Sequence, residues 1–75
     1  MISTSDDFDR LVGMNLKQFR QLSGLSQQLV AEPLGVSSQQ VQKYEAGKNR
    51  ISAGRLYLLA QLLDVPLAAF YQKAS

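Results

Sequence analysis

The sequence predicts an all-α fold, a compact domain of five short helices. Three observations predict it. Apolar residues recur at helical spacing, and no stretch shows the alternation of a strand. Serines stand where helices should begin, at Ser26, Ser37 and Ser52, where a hydroxyl can accept from the free N–H groups of the following turn. At 75 residues there is room for one domain that buries only about 60–65% of its unfolded-chain surface, which calls for an efficient helical core.

Phe8, Leu11, Val12, Leu16, Phe19 and Leu22 fall within about 140° of a helical wheel, giving helix 1 from Asp7 to Ser23 with one apolar face. Residues 1–6 are expected to form a frayed, flexible tail, and residues 7–75 the folded domain. Helix 2 begins at Ser26 and helix 3 at Ser37, where Ser37-Ser38-Gln39-Gln40 has the form of a capping box. Gly35 suits the left-handed conformation that ends one helix before the next begins. Two short helices joined through Leu34-Gly35-Val36-Ser37 fit helix-turn-helix geometry. Pro33 lacks an N–H and clashes with the Leu29 carbonyl, at a cost of about 3 kcal/mol in a regular helix interior, so helix 2 is expected to kink or loosen after Glu32. Ser52 caps helix 4, with Leu56, Leu59, Ala60 and Leu63 as its core stripe. The Asp64-Val65-Pro66 turn then starts helix 5 with Pro at its first position.

On helix 3 the wheel gathers Val41, Tyr44 and Glu45 on one face, which is the packed one. The opposite face carries Gln39, Gln42, Lys43 and Ala46, polar and without an acid. Gln can make paired bonds to an adenine edge, and Lys can serve a guanine edge or a phosphate. Such a face is also compatible with plain solvated surface; the capped turn ahead of it favours the major groove.

Charge is unevenly spread around a net +2. Asp6, Asp7 and Asp9 lie in the first ten residues, and without residues 1–9 the remainder carries +5. Lys43, Lys48, Arg50 and Arg55 cluster directly after the candidate reading helix, and the one acid among them, Glu45, belongs to the packed face. An exposed cluster of nearly pure cation is expected of a phosphate footprint. With no Cys and no His, disulfides, thiolate sites and imidazole-held metals are excluded, and no cofactor or metal is implied. No apolar run is long enough for a signal peptide or membrane span, so a cytoplasmic location is expected. There is no room for an enzyme cleft of ordinary size.

From Gly13 to Tyr71 the sequence resembles the Cro/repressor (Xre-family) class of bacterial and phage helix-turn-helix regulators. The resemblance is carried by Leu16 with Arg20, Gly24-Leu25-Ser26-Gln27, Leu34-Gly35-Val36-Ser37, Val41 with Tyr44-Glu45, Gly47, Ser52 with Leu56, and Leu59-Ala60 with Leu63. Each match is short, and their order and spacing make the signal. It implies a five-helix lambda-repressor-like fold in which helix 3 enters the major groove of double-stranded DNA. It further implies an ion pair between Arg20 and Glu45, each at the edge of its helix's apolar face. Ser38, Gln39, Gln42 and Lys43 are then the candidate base-reading residues. Ser26, Gln27, Lys48, Asn49, Arg50 and Arg55 are the candidate phosphate-binding residues, which fix register without reading sequence. The chain departs from the family at Pro33, where a helix-friendly residue is usual, at Leu29, where a polar residue is usual, and at Val30, where Leu is usual.

Leu58 and Leu62 form a second apolar ridge on helix 4, and helix 5 adds Leu67, Phe70 and Tyr71. Either helix 5 folds back and buries this surface, or it serves as a homodimer interface that lets two copies read an inverted repeat. The functional expectation is a sequence-specific DNA-binding transcriptional regulator, a repressor or autoregulator. The alternative is an antitoxin or adaptor module whose main task is to bind a protein partner through the same apolar surface.

Overall fold

Thr4 starts the first helix. Its hydroxyl accepts from the Asp7 backbone N–H at 3.2 Å, and the Asp7 carboxylate accepts from the Thr4 N–H at 3.1 Å, a reciprocal capping box. In the computed structural model, which describes residues 4–73, α1 therefore spans Ser5–Leu22 rather than starting at Asp7. The expected flexible tail is corrected accordingly: residues 4–6 belong to the capped first turn. The rest of that tail, residues 1–3, and residues 74–75 of the expected domain lie outside the described residues.

The three serines cap as the sequence indicates. Ser26, Ser37 and Ser52 precede α2 (Gln27–Leu34), α3 (Ser38–Glu45) and α4 (Ala53–Leu62), and accept from the N–H groups of Leu29, Gln40 and Arg55. At Ser37 only this half of the capping box forms among the described residues. Gly35 adopts φ +69° and closes α2 in the left-handed conformation. Pro33 does not end α2. It stands exposed in the last turn, and the helix continues to Leu34, which is anchored in the core. Pro33 cannot donate to the Leu29 carbonyl, and the turn is held instead by Gly35 and Val36, which donate to the carbonyls of Glu32 and Ala31, and by Leu34 in the core.

The fifth helix is a short 3-10 helix, Leu67–Tyr71, and Pro66 precedes it as the cap residue rather than opening it. Asn15, buried on α1, supplies the physical reason. Its side-chain amide donates to the carbonyls of Phe70 at 2.7 Å and Gln72 at 2.8 Å, so these acceptors are held by α1 instead of by a continuing helix. The same staple draws Phe70 inward. Phe70 is fully buried, with its ring edge-on to Phe19 at 5.3 Å between centroids. Phe70 is therefore corrected from a candidate dimer-interface residue to the centre of the intramolecular core.

Leu16, Val30, Val41, Leu59 and Phe70 form that centre, one from each element. The core stripe of α4 is buried as expected, at Leu56, Leu59, Ala60 and Leu63. On α1 the apolar arc overreaches at both ends, because Phe8 and Leu22 stand beyond the layer that covers its middle and remain exposed. Leu29 is on the surface, where the family tolerates a polar residue, while Val30 fills the core.

Candidate nucleic-acid interface

The presentation of α3 follows from what its other face grips. Val41 and Tyr44 enter the core, and at the C-terminal end α1 approaches with no side chain between the backbones. A Cβ on Gly13 would lie 2.2 Å from the Tyr44 carbonyl oxygen, a separation that only glycine avoids.

Glu45 completes the anchor. Arg20 donates from Nε to its Oε2 at 2.5 Å and from Nη2 to its Oε1 at 3.1 Å, and Gln27 donates to Oε1 at 3.0 Å. Arg20 also donates from Nη1 to the Leu25 carbonyl at 2.9 Å. The sequence-predicted pair is thus formed and largely buried, with side-chain exposures of 12% and 4%. The bond to Glu45 raises the Arg20 pKa above the ordinary guanidinium value, partly opposed by burial and aided by the facing charge. One carboxylate therefore ties α1, the start of α2 and the end of α3 together.

On the free face, Gln39, Gln42 and Lys43 are exposed. With Ala46 and Lys48 they line a shallow depression of about 300 Å³. A second depression, of about 240 Å³, shares Gln42 and Ala46 and extends to Lys17, Gln27 and Glu45. Lys17 was not singled out from the sequence. It stands one turn beyond Gly13 on the side of α1 that meets α3, and that spacing was its available signal. Ser38 is half-buried, its hydroxyl 3.4 Å from the Gln39 side-chain oxygen.

The candidate phosphate-binding residues divide into three kinds. Lys48 and Asn49 are exposed, and Lys48 has no salt-bridge partner among the described residues. The Ser26 oxygen caps α2 while its hydrogen remains available to an acceptor, and Gln27 commits one of its two amide hydrogens to Glu45. The two arginines are engaged within the fold, which the sequence did not indicate. Arg55 donates from Nε to the Leu34 carbonyl at 3.3 Å, tying α4 to the end of α2. Arg50 donates from Nε to Asp9 on α1, at 3.2 Å to Oδ1 and 3.4 Å to Oδ2.

A small all-helical domain with two short helices packed through a left-handed glycine turn, the second bearing a cationic, amide-rich face, defines a helix-turn-helix DNA-binding domain. A family model described as helix-turn-helix matches residues 16–70. The chain belongs to this Cro/repressor-type family of DNA-binding transcriptional regulators. It is 49% identical over 63 residues to a protein from Rhodospirillum rubrum named as a transcriptional regulator in the ATPase CF(0) region, covering 84% of this chain and 58% of that one. It is 43% identical over 63 residues to an HTH-type transcriptional regulator from Sinorhizobium medicae, covering 84% of this chain and 45% of the relative. The chain thus spans about half the length of these curated relatives. Among solved structures it resembles the restriction-modification controller protein C.AhdI from Aeromonas hydrophila, with a TM-score of 0.76 and 27% identity, covering 84% of this chain and 96% of that one. Among the described residues no helix is long and apolar enough to cross a membrane.

Proposed function

We propose that this protein is a sequence-specific regulator, a repressor or autoregulator acting in the cytoplasm, that lays α3 in the major groove and binds an inverted repeat as a homodimer. The observation that carries this reading is the exposed face of Gln39, Gln42 and Lys43, continuous through the shared depressions with Lys48 and Lys17. Gln39, Gln42, Lys43 and the Ser38 hydroxyl read base edges. Lys48, Asn49, Arg50, Ser26 and Gln27, with Lys17 added, contact the backbone, while Arg55 contributes through the Nη groups left by its bond to Leu34. The likeness to a restriction-modification controller protein supports a regulatory role.

Selection of bound sites from random duplexes tests this directly. An inverted repeat should emerge, and Gln39→Ala or Lys43→Ala should each weaken binding to it by about 1–3 kcal/mol and relax preference at one position per half-site. Equal losses on selected and random DNA would remove these residues from base reading.

The exposed apolar surface of α4 and the 3-10 helix favours a second reading, an antitoxin or adaptor that holds a protein partner. Affinity for DNA falls steeply with salt, whereas a hydrophobic partner complex is nearly insensitive to it. A titration across salt concentrations separates the two.

A further inference from the structure

We propose that Asp9 is a positioning residue of the DNA-binding surface, holding the Arg50 guanidinium with its outer N–H edge turned to a phosphate. The inference rests on the DNA-binding reading above and extends it to an acidic residue, a type that a phosphate footprint ordinarily excludes. Arg50 lies in the loop that follows α3, and only its Nε is engaged, by both Asp9 oxygens. Its Nη1 and Nη2 make no hydrogen bond among the described residues. The asymmetry of burial fits an anchor and its load: the Asp9 side chain is 16% exposed and that of Arg50 64%. The next residue of α1 grips the same loop. Gly47, at φ +73°, lies so close that a Cβ there would stand 2.6 Å from Arg10 Cγ and 2.9 Å from Arg10 Cα. Consecutive residues of α1 thus hold the loop, one at Gly47 and one at Arg50.

An exposed ion pair contributes little to stability. Orientation is what this geometry supplies. A guanidinium is a rigid planar fork, and pinning Nε leaves the two Nη groups directed outward for paired bonds to phosphate oxygens. A long side chain fixed before binding also loses less rotamer freedom in the complex. The opposing effect, repulsion between Asp9 and the phosphate, acts at a solvated rim where salt screens it.

The test measures binding of the full chain to a mixed-sequence duplex by fluorescence anisotropy at about 0.15 M salt, where the Debye length is about 8 Å, since phosphate contacts do not depend on sequence. Arg50→Ala and Asp9→Ala should each weaken binding about three- to tenfold, and the double variant should bind no more weakly than Arg50→Ala. Asp9→Asn, which keeps an oxygen to accept from Nε–H, should recover most of the Asp9→Ala loss. Circular dichroism should show the same helix content and nearly the same melting temperature in all. Unchanged or tighter binding by Asp9→Ala overturns the inference, as do additive losses in the double variant. If Asp9→Ala unfolds while Arg50→Ala stays folded, Asp9 is a stability residue and the inference fails. Native affinity in Arg50→Ala removes Arg50 from the footprint, and the inference with it, while DNA binding itself stands. Absence of binding by the unmodified chain would reject both the functional reading and this extension.

Discussion

Glu45 is an ionised residue on a side chain only 4% exposed, and a carboxylate so placed is tolerated because three side-chain N–H groups meet it, two from Arg20 and one from Gln27. Removing Arg20 leaves that charge orphaned. Arg20→Ala should therefore cost about 3–5 kcal/mol in urea unfolding, a large share of the roughly 4–11 kcal/mol that a domain of this length possesses. Replacing both partners by apolar residues should restore much of the loss, and a double variant no more stable than Arg20→Ala would refute this account. Asp7 offers a prediction in pH. The Thr4 backbone N–H, then Arg10 and the Thr4 hydroxyl, hold its carboxyl below the ordinary value of 3.8. Because the folded value is the lower one, the capping contribution is complete above 3.8 and is lost as pH falls through the depressed value. Amide exchange in the first turn of α1 should accelerate over that acid range beyond its intrinsic pH dependence, and Asp7→Asn should abolish the extra change.

The elements meet most closely where α1 crosses the end of α3. Gly13→Ala would place a methyl 2.2 Å from the Tyr44 carbonyl oxygen, and no flexible side-chain end is there to yield. The helices must separate, with overpacking costing about 1–3 kcal/mol in thermal unfolding, although alanine is the better helix former. Increased stability would mean that the helices are free to shift apart. This crossing marks the limit of what the sequence reveals. The cap serines, the Gly35 turn, the stripe of α4 and the Arg20–Glu45 pair are legible because each follows from local spacing or from a motif read across the chain. The Asn15 staple, the Arg50–Asp9 bond and the Arg55–Leu34 bond join segments distant in sequence and leave no periodic trace. Asn15 did give a partial signal, as a polar residue inside the apolar arc of α1. The Thr4–Asp7 box was open to the same rule that located the other caps; the apolar periodicity that begins at Phe8 concealed it. The 3-10 form of the fifth helix is not legible locally, because Pro66 can precede a 3-10 helix as readily as an α-helix, and the deciding bonds come from Asn15.

For the molecule as a whole, the unresolved economy of surface lies on α4 and the 3-10 helix. Leu58, Leu62, Leu67 and Tyr71 remain 41–47% exposed after Phe70 has been drawn into the core, so folding back buries only one of the five residues in question. Leu58 and Leu62 lie one turn apart on one face of α4, and a small domain bound to a single half-site makes few phosphate contacts and discriminates weakly. A two-fold dimer through this surface would cover the leucines and set two copies of α3 on half-sites about 34–36 Å apart. Leu62→Glu, at an exposed site, should then leave the melting temperature of the isolated domain nearly unchanged. It should also abolish dimerisation in sedimentation equilibrium and reduce binding on the full inverted repeat to that of a half-site. Phe70→Ala serves as the contrast, since emptying a fully buried aromatic site should cost about 3–5 kcal/mol and unfold much of the population. If the unmodified chain sediments as a monomer at high micromolar concentration and DNA recruits one copy per site, the exposed leucines do not join two copies of this chain, and the reading in which they hold a different protein gains their support.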